Sequence, residues 1–149
     1  MAAAGRKTAI IPLGTLGRAE PIWLEIGEDS WSVAWSPDAT LLAVGTRTGR
    51  VLLFDGLTGA ARGGLTAHER LIEGLAFSAD GHSLVTADSG CVRLSDVATL
   101  TTFDEIRPAW QVFAIRLLPG DAGLVIAGSD AETTRHAVAR LAVMEFGRP

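Results

Sequence analysis

A twelve-residue segment recurs 42 positions further on, and that recurrence limits the fold more than any single residue does. Val33-Ala34-Trp35-Ser36-Pro37-Asp38-Ala39-Thr40-Leu41-Leu42-Ala43-Val44 returns as Leu75-Ala76-Phe77-Ser78-Ala79-Asp80-Gly81-His82-Ser83-Leu84-Val85-Thr86. The register then continues: Gly49-Arg50-Val51-Leu52-Leu53-Phe54-Asp55 lines up with Gly90-Cys91-Val92-Arg93-Leu94-Ser95-Asp96, now 41 apart. A worn third copy runs from Ile115 to Asp121, then Leu124 to Gly128, and ends in Leu141-Ala142-Val143-Met144-Glu145. Stepping back 42 from Val51 reaches Ala9-Ile10-Ile11, so the chain reads as starting partway through a repeat.

Each copy is written in strands. Apolar runs of four to seven residues are divided by turn pairs, among them Pro37-Asp38, Asp80-Gly81 and Ser89-Gly90. Leu41 to Val44, Val51 to Phe54 and Leu124 to Ala127 are apolar at consecutive positions, which indicates sheets buried on both faces. No window of about twelve residues holds a helical period. Thr134 to Phe146 is the nearest to one, and its repeat phase makes it a strand. The fold class is all-β.

These residues resemble the WD-repeat β-propeller family. The second copy fits best, with Leu65-Thr66-Ala67-His68, then Phe77-Ser78-Ala79-Asp80-Gly81, then Val92-Arg93-Leu94-Ser95-Asp96. The first supplies Trp35-Ser36-Pro37-Asp38, Phe54-Asp55 and Thr58-Gly59. The resemblance spans roughly residues 8 to 146 and implies a partial β-propeller of stacked four-stranded antiparallel WD-repeat blades. Residues 1–29 would close a preceding blade, 30–67 and 68–109 would be two whole blades, and 110–149 a third, degenerate one. At four strands per blade that makes thirteen strands.

The resemblance also implies structural repeat residues: Trp35, Asp55, His68, Phe77, Asp80 and Asp96, with Trp35 and Phe77 as buried equivalents. The family's third-strand tryptophan is Phe54, Ser95 and Met144 here. Only the second copy keeps a histidine, a threonine and an aspartate together, as His68, Thr86 and Asp88, and Ser95 cannot replace the indole. Three blades cannot close a ring. The strands at the ends, near Ala9 to Ile11 and at Leu141, Val143 and Met144, would expose unpaired edges that another chain could complete.

Little enzymatic chemistry can be assembled. His68-Glu69-Arg70-Leu71-Ile72 lacks the second histidine of a zinc helix, and His68, His82 and His136 share no ligand spacing. Ser36 or Ser78 with His68 and Asp80 makes a triad on paper only, because those serines and that aspartate are turn residues. There is no Gly-x-Ser-x-Gly elbow and no phosphate cradle. No cofactor or metal is expected. Cys91 stands alone, so it forms no intrachain disulfide and reads as a small core residue.

A net charge of −4 disfavours a nucleic-acid partner, and no apolar run is long enough for a membrane helix. The location expected by elimination is cytoplasmic. Lys7 is the one lysine among 13 bases, a bias compatible with a bacterial source. Candidate partner contacts are Trp31 and Trp110, on loops that line the channel rim in the family, and Arg47 and Arg50 beside a turn. Each aromatic is either a binding anchor or inter-blade packing; each arginine is a contact or a solvated turn residue. The leading function is a non-enzymatic scaffold for protein partners. The alternative is a structural subunit that self-associates, or joins other chains, through open blade edges.

Overall fold

The computed structural model describes residues 7–12, 20–129 and 138–142. Strands β1 (Ala9–Ile10) and β2 (Ile22–Trp23) form a two-stranded piece. A first four-stranded sheet follows: β3 (Ser30–Trp35), β4 (Leu41–Thr46), β5 (Arg50–Asp55) and β6 (Ala61–Thr66). The second is β7 (Gly74–Phe77), β8 (Ser83–Ala87), β9 (Val92–Asp96) and β10 (Thr101–Ile106). The third holds β11 (Gln111–Leu117), β12 (Leu124–Ser129) and β13 (Val138–Ala142), with one 3₁₀ turn at Pro119–Asp121. All pairings are antiparallel between sequence neighbours, as a meander requires.

The 42-residue repeat reappears as register. Trp35 lies opposite Leu42 on β4, and Phe77 lies opposite Leu84 on β8. The turns between these strands are set by Ser-x-Asp in both copies. Ser36 Oγ donates to Asp38 at 2.7 Å, and the same carboxylate accepts Thr40 N–H at 3.0 Å. Ser78 donates to Asp80 at 2.7 Å, and Asp80 accepts His82 N–H at 3.0 Å. These side chains replace backbone partners that a tight turn leaves unmade.

Stacking follows from the alternation of faces. Leu75, Phe77 and Leu84 of the second sheet pack with Ala43, Val51 and Leu53 of the first, together with Ala67 and Ile72. On its other face, Val85, Ala87, Val92 and Leu94 meet Val112, Ile115, Leu124 and Ile126 of the third sheet. A smaller cluster sets Leu24 and Ile26 against Leu42, Val44 and Phe54 of the first sheet. Continuous apolar runs are the consequence of two covered faces.

The structure corrects two expectations. Trp35 is not the buried equivalent of Phe77: it is 44% exposed where Phe77 is 8%. Among the described residues, the face of β3 that carries it has β1, β2 and the Leu24–Ile26 segment beside it, and these cover β4 and β5. Nor does Trp31 precede its strand. It lies within β3, between Ser30 and Ser32, where a register shift leaves it bulged and 48% exposed. Phe113 takes the same bulged place in β11 and is 51% exposed.

Within the stretch read as a strand from Thr134 to Phe146, the described part is β13, which pairs Leu141 with Val125. Val143, Met144 and His136 lie outside the described residues.

Candidate functional site

At the end of the first sheet where β3 and β5 begin, two loops are tied together. Arg47 N–H donates to the Asp29 carbonyl at 2.9 Å, and Arg50 Nη1 meets Glu28 Oε1 at 3.1 Å. Thr48 Oγ1 donates to the other oxygen of Glu28. The turn between them needs Gly49: its φ is +85°, and a Cβ there would overlap the His68 carbonyl oxygen. Ala67 and His68 N–H both donate to the Gly49 carbonyl at 3.0 Å, which locks the next sheet's entry onto this turn. Arg47 and Arg50 are both exposed.

Trp31 stands beside this cluster and its indole N–H donates to the Glu73 carboxylate. Burial pushes the Glu73 carboxyl upward, and the Asp88 charge adds to it. Glu73 sits 42 residues after Trp31, in the place on the second sheet that the bulged tryptophan holds on the first. Trp31, Arg47 and Arg50 therefore share one end of the stack. Trp110 does not join them: it is half-buried in the third sheet, its ring 2.6 Å from where a Cβ on Gly128 would stand.

His68 is a core group. It is 2% exposed, and its Nε2 is 2.8 Å from Thr86 Oγ1. Asp88 Oδ2 lies 3.3 Å from Nδ1 but off the N–H direction, so this is a contact of charge and not an aligned hydrogen bond. Burial lowers the His68 pKa and outweighs the pull of Asp88, which favours the neutral ring, hydrogen-bonded through Nε2 to the Thr86 hydroxyl. Asp88 is itself occupied by the N–H groups of Gly90 and Cys91, both at 2.8 Å. Cys91 is buried, and burial pushes its thiol up.

The remaining acids hold turns. Asp55 accepts Thr58 N–H at 2.9 Å and Arg62 Nη2 at 2.5 Å, so its carboxyl falls far below the usual carboxylate range. Asp96 accepts Thr99 N–H at 2.7 Å, and its carboxyl is lowered by that bond. Ser95 Oγ pairs with Thr102 Oγ1 at 3.0 Å and has no part in the histidine set. Among the described residues no three His, Cys, Asp or Glu side chains converge as metal ligands. No helix of the described residues is long and apolar enough to cross a membrane.

Sequence reasoning passed over Glu28 and Glu73, which orient Arg50 and Trp31. Their signal was available for Glu73, which occupies the repeat position of an exposed aromatic. Asp121 was also missed. Both of its oxygens lie 2.9 Å from Ala79 N–H, tying the third sheet's turn to the second's.

Residues 26–55 and 60–96 match the WD domain, G-beta repeat family. A WD repeat-containing protein, SL1-17, of Schistosoma mansoni is 32% identical over 72 residues, which is 48% of this chain and 24% of that protein. The β-propeller domain of Cps50 (Swd1) from Myceliophteria thermophila superposes with a TM-score of 0.62 at 26% identity, over 67% of this chain and 32% of that one. The WD40 repeats of RRP9 give 0.62 at 24%, over 68% and 31%. Hydrazine synthase of Kuenenia stuttgartiensis gives 0.63 at 21%, over 67% and 29%. The last two likenesses show the fold alone. The chain spans about a quarter of the curated relative and about a third of the solved structures.

Proposed function

The chain belongs to the WD-repeat family, and from that premise we propose that it is a non-enzymatic scaffold for protein partners in the cytoplasm. WD repeats generally mediate protein–protein interaction. The observation that carries the reading is the division of labour among polar side chains. Asp38, Asp55, Asp80, Asp88 and Asp96 are all spent on turns, and His68 on the core. Among the accessible side chains, Trp31, Arg47 and Arg50 form an aromatic and charged group at one end of the first sheet. Exposed aromatics and arginines of this kind anchor protein interfaces. In the same reading, residues 30–67, 68–109 and 110–149 are successive blades, 1–29 ends another, and a net charge of −4 keeps nucleic acid away.

The test is a binding comparison with a purified partner captured from a bacterial extract. Arg47→Glu weakens that complex by about tenfold or more, the usual scale of an interface anchor. Leu57→Glu, which changes an exposed side chain past the other end of β5, leaves it unchanged. Equal weakening by both variants, or no retained partner, overturns the reading.

A second reading is favoured by a separate observation. Val33 and Trp35 form an exposed apolar pair on one face of β3, which suits a structural subunit whose open face meets another chain.

A further inference from the structure

The repeat carries one position at the same end of each sheet's first strand, and the middle sheet fills it differently. Trp31 of β3 and Phe113 of β11 are aromatics bulged out of register and 48% and 51% exposed. Glu73, the residue before β7, stands 42 positions after Trp31 and 40 before Phe113. Its backbone is fixed: Glu73 N–H donates to the Ala87 carbonyl at 2.7 Å. The residue before it is tied to the first sheet, where Ser32 Oγ donates to the Ile72 carbonyl at 2.8 Å and Ile72 N–H donates to the Thr46 carbonyl at 3.1 Å. The carboxylate that accepts the Trp31 indole N–H is therefore held across the junction between the first two sheets.

A carboxylate is a demanding choice for this place. Glu73 is half-buried and faces Asp88, and both disfavour its ionised form, so its carboxyl titrates above the ordinary value of 4.5. The elements around it carry several charged groups. Asp29, Arg47 and Arg50 belong to the first sheet's loops, His68, Glu69 and Arg70 to its own loop, and Asp88 to the β8–β9 turn. Of these, Asp88 is the one whose charge acts on Glu73. The bond from Trp31 works the other way and favours the ionised form. That preference is reciprocal. An indole that favours the carboxylate over the acid is gripped more strongly by the carboxylate, and protonation loosens the grip.

We propose that Glu73 is the positioning residue of the docking face: ionised, it holds the Trp31 ring in the posture a protein partner meets, and protonated, it lets the ring go. The face is then set for binding at neutral pH and relaxed in mild acid. This rests on the scaffold reading above and adds its regulation. It also accounts for an acid where the neighbouring sheets place aromatics. Ionisation of Glu73 works against the fold, and what the ionised group does is hold an exposed anchor.

Nuclear magnetic resonance of the whole chain decides this, with the Trp31 indole N–H signal identified by its loss in Trp31→Phe. Lowering the pH from neutral shifts that signal along one titration curve with a midpoint above 4.5. Glu73→Gln keeps a neutral acceptor in place and abolishes the titration. Circular dichroism that stays constant over the range shows that the fold is intact. At neutral pH, where acid unfolding plays no part, the Trp31 indole hydrogen exchanges with water about fivefold faster in Glu73→Gln, the gap between a charge-assisted and a neutral hydrogen bond. A midpoint at or below 4.5 overturns the proposal, as does equal exchange in the two proteins. So does a titration that persists in Glu73→Gln, which keeps His68 and Asp88. None of these readings needs a partner, so their failure is distinct from failure of the capture experiment that tests the scaffold. Where a partner is captured, its affinity for the parent falls through the same midpoint, and an affinity that ignores that midpoint also overturns the proposal.

Discussion

Replacing Phe77 by alanine empties the junction between the first and second sheets. The ring is 8% exposed and packs with Leu75, Leu84, Ile72, Val51 and Leu53. A buried aromatic takes about 150 Å² from water, which at ~25 cal/mol/Å² is about 4 kcal/mol. The β-carbon that alanine keeps lowers this, and the unfilled cavity raises it, so the expected loss is about 3–4 kcal/mol. Trp35→Ala at the aligned position is the internal control. That ring is 44% exposed, with its edge against the Gly56 turn, and its removal costs about half as much, ~1–2 kcal/mol. Urea unfolding followed by circular dichroism gives both numbers. The slope with denaturant should match the parent's. Equal losses for the two variants would refute the assignment of Phe77 to a covered face and Trp35 to an open one.

Two further outcomes are expected. The His68 ring titrates below 6.5, since burial outweighs Asp88; the fold is then fully stable above 6.5 and loses stability as pH falls from there toward the lowered value. An NMR titration of His68 with a midpoint at or above 6.5 contradicts that. Asp121 sits at φ 57° and bonds Ala79 N–H, so Asp121→Ala loses the bond and keeps the strained backbone, whereas Asp121→Gly loses only the bond. Melting experiments should show alanine about 1 kcal/mol worse than glycine there, and the reverse order would remove the strain from the account.

How much of this was legible follows from what each feature depends on. The strand pattern depends on local alternation and turn residues, and the repeat spelled out both: Ser36-x-Asp38 and Ser78-x-Asp80 predict the two hairpin turns that form. His68 with Thr86 and Asp88 was readable for the same reason, because the histidine's place in the copy fixes its neighbours. Trp35 was misread because burial is a property of the neighbour. Its face, register and partner match those of Phe77, and only the covering sheet differs. Trp31 was misplaced by a bulge, which a 42-residue alignment absorbs without a visible gap. The Asp121–Ala79 tie was hidden because Asp121 stands three residues after Leu118 as Gly81 stands three after Ser78; a left-handed glycine position filled by aspartate was the available clue.

The polar set that strengthens well-kept repeats is thin here, and this decides where cohesion comes from. Phe54 replaces one tryptophan and is 2% exposed within the apolar cluster of Leu24, Ile26, Leu42 and Val44. Ser95 replaces another and bonds only its cross-strand neighbour Thr102. No indole therefore links His68 to the third strand, and each sheet is held chiefly by the faces it shares. In a linear stack, stability is the sum of each unit's own term and its junctions. Among the described residues the second sheet has a full junction on each face, and the first has one together with the partial cover of Leu24 and Ile26. The second sheet is then the most firmly held of the described sheets and the last to open locally.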